Sequence, residues 1–365
     1  MAEAARALLA RAACFAPGEP APEGLLRAAL ERGSGGEGES GGEGEGEKGG
    51  EGEAAVDDAL YRLLELGLLE RAGDDACRLH RLVARFAAAA VPADGMAAAR
   101  AAVERAVYGQ AQRQNKAGFP AALREWDIHL RHVTDAASDR EDETAATLCT
   151  NLGYYLRMSG DLPAARPYYE RALAIRERVL GPDAPLIALS LNNLGFLLRA
   201  MGDLPAARPY YERALAIRER VLGPDHPDTA GSLNNLGFLL QAMGDLPAAR
   251  PYYERALVIS ERVLGPDHPN TATSLNNLGG LLDAIDEDEA GLEYYLKALA
   301  IREKVLGPDH PDTASSLHNT GALLVEMGRS DEGRPMLERA LAIYTARLGE
   351  NHPNTRSTRA WLRGL

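Results

Sequence analysis

Leu191, Leu194 and Leu198 stand at i, i+3 and i+7, the spacing of one face of an α-helix. After Gly202 and Asp203 a second apolar stripe follows in Ala207, Tyr211, Ala214 and Leu215. This pair of stripes recurs down the chain. Gly181, Gly223, Gly265, Gly307 and Gly349 fall every 42 residues, each closing a segment such as RALAIRERVLG, and most of them open a GPDHP turn. Five such units cover 210 residues, roughly 144–353, and each reads as two antiparallel helices. Gly223 suits the left-handed cap that ends a second helix, and Pro224 stops its continuation. Asp228 or Thr229 is expected to accept the first free N–H groups of the next helix. One hairpin cannot bury its stripe alone, so neighbours must stack. The predicted fold class is all-α: a right-handed α-solenoid of helical hairpins with a concave inner surface, a shape suited to binding rather than catalysis.

Upstream the period is absent. Residues 33–53 hold 11 Gly, 7 Glu, 2 Ser and one Lys, which leaves no apolar side chain to bury and predicts a disordered insert. Although the segment is Gly-rich, it lacks G-x-x-x-x-G-K-[ST], and its carboxylates would repel phosphate. Around it, residues 4–15, 22–30 and 54–66 read as short helices, the third ending at Gly67. Two short strands, LLERA and ACRLH, joined by Gly73-Asp74-Asp75, precede a helix beginning near His80. Three helices and a hairpin predict a winged-helix domain over residues 1–90. Residues 91–141, with Trp126, His129 and His132, are expected to form a helical bridge, residues 142–353 the repeats, and residues 354–365 a partial capping helix. His129 and His132, at i and i+3, could seat a metal, but no third ligand stands nearby, so packing is the expected role.

The order Leu191, Leu194-Gly195, Leu198, Ala207, Tyr211, Ala214 resembles the tetratricopeptide repeat signature, with Leu where the fourth position usually carries Trp. The 42-residue length and the SLNNLG and ALAIRE.VLGPDHP wording are similar to the longer variant found in kinesin light chains. A winged helix with ALYRLLELGLLER and CRLHRLVARFA, a helical region and then the repeats resembles the C-terminal half of NB-ARC (STAND) signalling ATPases. In that family the winged helix packs on a nucleotide-binding domain and the repeats sense a ligand or partner. The Walker motifs are missing from this sequence, so nucleotide hydrolysis does not carry over. The resemblance implies either a binding protein or the sensing half of a system whose P-loop ATPase is a separate chain. A cargo adaptor of the kinesin type would need an N-terminal heptad coiled coil, and none is present in the sequence.

Charge narrows the partners. With 40 Lys+Arg against 53 Asp+Glu the formal net charge is −13, which argues against general nucleic-acid or anionic-membrane binding. The candidate DNA-recognition helix AAVDDALYRLLELG sets Asp57, Asp58 and Glu65 against Arg62 alone, so a transcriptional regulator is disfavoured. No stretch of about 18 consecutive apolar residues occurs, and neither a signal peptide nor a membrane span is expected. Cys14, Cys77 and Cys149 are odd in number and far apart. They predict neither a disulfide framework nor a zinc knuckle, and suit a reducing cytoplasm. His226, His268, His310 and His352 occur once per repeat and read as turn residues rather than a metal cluster. Nothing in the sequence pairs a nucleophile with a base, or two carboxylates in a cleft. The chain reads as a non-enzyme without cofactor or metal.

The candidate site is a face of the first helix in each repeat. Advancing about 100° per residue, Leu189, Asn192, Phe196 and Arg199 point away from the Leu191 stripe. In tetratricopeptide repeats the corresponding face lines the groove. The same columns give Thr150, Asn192, Asn234, Asn276 and His318, then Tyr154, Phe196, Phe238, Gly280 and Ala322, then Arg157, Arg199, Gln241, Asp283 and Val325. Aromatic rings beside arginines in the N-terminal half suit a peptide with an apolar anchor and a carboxylate. The Asn192, Asn234 and Asn276 amides could bond a peptide backbone or could instead satisfy groups between stacked helices. A second column, Asn151, Asn193, Asn235, Asn277 and Asn319, lies off that face and better fits stacking. The acids Asp286, Glu287, Asp288 and Glu289 in the fourth unit offer an edge to a basic partner or reflect drift at an exposed turn. Leu341 and Trp361 are expected to be exposed at the C-terminal end, where self-association is plausible.

Overall fold

A computed structural model describes residues 2–30, 48–116 and 127–364. Among the described residues the structure is helical apart from one small sheet, and the chain divides into two compact units, Met1–Gly181 and Pro182–Leu365. The first unit opens with α1 (Ala2–Ala12), β1 (Pro20–Pro22), α2 (Glu23–Leu30), α3 (Lys48–Glu65), β2 (Leu69–Arg71), β3 (Ala76–Leu79) and α4 (Arg81–Ala90). The sheet order is β1-β3-β2 and all pairing is antiparallel, with Ala21 opposite Cys77 and Glu70 opposite Arg78. Strand β1 has no counterpart in the sequence reading, because three residues with two prolines carry no strand pattern until β3 is there to pair with them. Leu8, Leu26, Leu60, Leu63, Leu69 and Cys77 form the core of this region. Helices α5 (Ala93–Lys116) and α6 (Asp127–Ala136) follow, then the first hairpin, α7 (Glu143–Met158) and α8 (Leu162–Leu180).

Most of the Gly/Glu insert predicted over 33–53, and Trp126, lie outside the described residues. Residues 48–53 are not part of an insert, since α3 begins at Lys48. A helix nucleated by the AAVDDALYRLLE stripe adds one backbone hydrogen bond for each residue it extends, so it runs back into the glycines. His129 is fully buried and locks α6 to the α1–β1 connection. Its Nδ1 accepts the Ala16 N–H at 3.1 Å, its Nε2 bonds the Pro20 carbonyl at 2.8 Å, and its ring meets Phe15 edge-on. With both nitrogens engaged, His129 serves packing and has no position left for a metal.

The second unit stacks four hairpins and a final helix: α9 (Pro185–Ala200) with α10 (Leu204–Val221), α11 (Pro227–Ala242) with α12 (Leu246–Val263), α13 (Pro269–Asp283) with α14 (Asp288–Leu306), α15 (Pro311–Glu326) with α16 (Ser330–Leu348), and α17 (Pro353–Gly364). Leu233, Leu236, Leu240, Tyr253 and Leu275 belong to a continuous core running through these stacked layers. The hairpins α9–α10, α11–α12 and α13–α14 close on the same pair, whereas in α15–α16 Gly321 meets Leu337 and Gly333. Tyr211, Tyr253 and Tyr295 are buried against Gly195, Gly237 and Gly279, where an added Cβ would lie 2.9 Å from the ring. Tyr169 and Gly153 repeat this in the first hairpin. Of each tyrosine pair, this second member is the core residue, while Tyr168, Tyr210, Tyr252 and Tyr294 are only half-buried.

The caps differ from expectation in one respect. The turn glycine takes positive φ as anticipated, 97° at Gly223. The N-cap, however, is the histidine: Nδ1 of His226, His268 and His310 accepts the N–H two residues on, at 3.1 Å in each case. Thr229 instead donates to the Gly223 carbonyl at 2.8 Å, satisfying the end of the preceding helix. Proline at N1 fixes the chain so that an extended residue precedes it, and the ring of that residue reaches N2. Leu341 and Trp361 are half-buried rather than exposed, since α17 packs on α16. Arg220–Asp183, Arg262–Asp225 and Lys304–Asp267 form a ladder of exposed ion pairs at one edge, each worth little alone. Among the described residues no helix is long and apolar enough to cross a membrane.

Candidate functional site

Within the second unit the first helices of the hairpins, α9, α11, α13 and α15, carry the three columns. The aromatic column and the cation column meet. The Arg199 guanidinium lies 4.4 Å from the Phe196 ring centroid and 4.1 Å from that of Phe238, so one cation is held between rings of successive repeats. Phe238 stays 45% exposed, unusual for a phenyl ring in the middle of a well-packed stack. The helical stripe explains this: Leu233, Leu236 and Leu240 take the buried side, and Phe238 is left on the opposite side. In the first unit Tyr154 and Arg157 form the same pair on α7, at 4.8 Å.

The asparagine column faces the stack. Asn192 is buried, its Nδ2 donates to Ser232 Oγ at 3.4 Å, and its Oδ1 accepts from Asn235 at 3.3 Å. Asn234 Nδ2 donates to Ser274 at 2.9 Å, leaving a buried Oδ1 without a partner. Asn276 Oδ1 accepts from Asn319 at 3.0 Å, and His318 Nδ1 pairs with Thr358 at 3.0 Å. Burial lowers the His318 pKa, as expected of a ring kept neutral by its packing. Thr150, at the same position of α7, receives Arg176 at 3.1 Å. These side chains stitch each first helix to its neighbour. The two asparagine columns therefore work together, which separate readings of each column could not reveal. Ser190, Ser232, Ser274 and Ser316 recur every 42 residues and supplied the missing signal.

The third column changes character along the unit. Gln241 donates to the Gly280 carbonyl at 2.9 Å and accepts from the Tyr253 hydroxyl at 3.0 Å, so it is a brace between α11 and α13. Asp283 is half-buried, and its carboxyl is pushed up by that burial and by Asp288, against the lowering effect of the Tyr295 hydroxyl. Glu326 is pushed up by burial and then by Asp283 and Asp288. Glu326 was outside the columns read from sequence, although it directly follows Val325. The face thus runs from a cation between rings to a group of crowded acids. Among the described residues no cluster of His, Cys, Asp and Glu could hold a metal ion.

The family profile described as tetratricopeptide repeat matches residues 143–220, 186–257, 228–290 and 286–345, more than half of the chain. The chain belongs to the tetratricopeptide repeat family. No curated protein sequence matches it. Among solved structures, its repeats are similar to the kinesin-light-chain repeats of Podosopora anserina, at 24% identity over 57% of this chain and 98% of that one, with a TM-score of 0.46. BtubC (BKLC) from P. vanneervenii is 23% identical over 68% of this chain and 94% of its own, with a TM-score of 0.49. Within these tetratricopeptide repeats, Gly195 and Tyr211 are the signature pair that closes the α9–α10 hairpin, and Phe196, next in sequence, is turned to the other face.

Proposed function

We propose that the chain is a non-catalytic interaction scaffold or sensor that binds a peptide or protein segment along the first-helix face of its tetratricopeptide repeats. The observation that carries this reading is Arg199 between Phe196 and Phe238, with Phe238 45% exposed. Other large apolar side chains of the stack are also open, Met243 at 40% and Val258 at 58%, but Phe238 joins an open ring to a held cation, a pair that a ligand strengthens by covering it. The guanidinium beside it supplies planar donors for a carboxylate. The matching ligand is an extended segment with an apolar side chain next to an acidic one. Asn192, Asn234, Asn276, Thr150 and His318 hold the face in shape, and Tyr154 and Arg157 repeat its chemistry in the first hairpin. Panning a displayed random-peptide library against the full chain tests the reading. Enrichment of an apolar–acidic pair, lost in Phe238→Ala, is the expected result; absence of any enrichment overturns it.

A second reading concerns the first unit. The order α1-β1-α2-α3-β2-β3 with β1 paired to β3 supports a winged-helix module. Together with the repeats it supports the sensing half of a STAND-type system in a reducing, cytoplasmic setting, the P-loop ATPase being a separate chain. Co-purification of a P-loop protein that survives Phe238→Ala would favour this reading over the first.

A further inference from the structure

Helix α17 occupies the register of a sixth first helix, since Pro353 stands 42 residues after Pro311. Its surface does not. The positions that form the seam with the second helix of a hairpin are, in the complete repeats of the second unit, Ala188, Ala230, Ala272 and Ala314, then Leu191, Leu233, Leu275 and Leu317, then Gly195, Gly237, Gly279 and Gly321. The alanines and leucines are all buried. In α17 the same three positions are Arg356, Arg359 and Arg363. They keep the i, i+3, i+7 spacing and so form one stripe on the helix. At the glycine position even a Cβ would stand 2.9 Å from the tyrosine ring of a standard second helix in Gly195, Gly237 and Gly279. Arg363 therefore excludes a sixth hairpin of the usual kind.

The stripe has an apolar neighbour. Arg356, Arg359 and Arg363 form an open face of α17 together with Pro353, Ser357 and Ala360. Next to it Val325, Ala360, Trp361 and Gly364 line an apolar recess of about 430 Å³. Ala360 belongs to both. Arg359 is tied to Glu350, whereas Arg356 and Arg363 make no ion pair among the described residues. Arg356 and Arg363 thus leave two cations on this face that repel one another until a carboxylate lies between them, in a chain of formal charge −13.

We infer that the α17 seam is a docking surface for an acidic amphipathic helix of a partner protein. Its glutamates would pair with Arg356, Arg359 and Arg363, and an apolar side chain would enter the recess at Trp361. The partner helix takes the position that a second helix takes in the other hairpins, with ion pairs in place of the alanine, leucine and glycine seam.

The test uses the full chain and a fluorescein-labelled helical peptide carrying glutamates at i, i+4 and i+7 beside leucines, followed by anisotropy. The same peptide with glutamines is the control, and Arg356→Glu/Arg363→Glu is the variant. Both arginines are exposed, so the variant should keep the parent's thermal midpoint. The inference predicts binding of the glutamate peptide, at least about tenfold weaker binding of the glutamine peptide, loss in the variant, and no change in Phe238→Ala, which separates this surface from the repeat face. Equal binding of the two peptides, binding unaffected by the variant, or no binding at all overturns it. So does a concentration-dependent dimer that the variant abolishes, because a second copy would then be the occupant.

Discussion

The guanidinium of Arg199 lies 4.1 Å from the ring centroid of Phe238, a residue of the next repeat. The contact joins two first helices through side chains that the apolar core does not use. Cation–π contacts contribute about 0.5–1 kcal/mol when exposed and about 2 kcal/mol when desolvated, so a ligand that covers the pair strengthens it. Phe238→Ala is therefore expected to shift the thermal midpoint little while weakening peptide binding about tenfold or more. Calorimetric titration with an enriched peptide, beside a melting curve, reads both; a large fall in midpoint would make Phe238 a core residue instead.

Asn192→Ala, Asn234→Ala and Asn276→Ala should behave in the opposite way. Each removes a partner from Ser232, Ser274 or Asn319 and should cost about 1 kcal/mol of stability. The peptide sequence preference should survive, because the amides face the stack. Urea midpoints for the three single variants, with a panning profile for the triple variant, distinguish this from a ligand-contact role, in which the preference would change while stability did not.

What the sequence disclosed depends on how local the signal is. The Gly181-to-Gly349 period and the Leu191 and Tyr211 stripes are local, and they delivered the hairpins, the stacking and the buried tyrosines. The asparagine roles required knowing which face of α9 meets α11, which follows from the packing angle of the hairpins and not from one helix's periodicity. The pattern puts His226 in the turn but points to Asp228 or Thr229 as the cap, because histidine is an uncommon N-cap and needs Pro227 to orient it. Strand β1 leaves no trace in the sequence pattern, because its strand character is its pairing to β3.

Asp286 stands where the other hairpins have Gly160, Gly202, Gly244 and Gly328, and it takes φ 59°. A side chain in the left-handed region costs about 1 kcal/mol relative to glycine, somewhat less for Asp, whose short polar group tolerates it. Asp286→Gly should therefore stabilise the α13–α14 hairpin by up to about 1 kcal/mol. Gly244→Asp is the mirror test and should destabilise α11–α12. Hydrogen-exchange protection in the two hairpins should move in opposite directions; no change in either would mean that the turns do not limit stability.

Asp283 and Glu326 hold their protons more tightly in the folded chain than in the unfolded one. For an acid with a raised folded pKa, the stabilising contribution is full below the unfolded value and is lost as pH rises through the folded value. At neutral pH the crowded carboxylates are thus a destabilising element, screened in part by their exposure. Asp283→Asn/Glu326→Gln is expected to raise the thermal midpoint at pH 7 and to leave it nearly unchanged near pH 4. Melting curves at the two pH values decide, and an equal gain at both would locate the effect in packing rather than charge.

His129 titrates in the other sense. Burial lowers its pKa from the ordinary 6.5, followed by the raising effect of the Pro20 carbonyl, the lowering effect of His132 and the raising effects of Glu19 and Asp127. A base with a depressed folded pKa contributes stability that is full above about 6.5 and is lost as pH falls below it, because the unfolded chain takes up the proton first. Protonation also removes the acceptor for the Ala16 N–H, which Nδ1 holds at 3.1 Å. The first unit should accordingly lose stability between pH 7 and pH 5, with the Ala16 amide losing protection early. His129→Phe keeps an aromatic ring against Phe15 but leaves the Ala16 N–H and the Pro20 carbonyl unpaired. It should be less stable than the parent at pH 8, by about 1–3 kcal/mol, and should lack the loss between pH 7 and pH 5. If the variant kept the parent's pH profile, another group would have to carry the dependence, and His132, whose pKa burial also lowers, would be the next residue to replace.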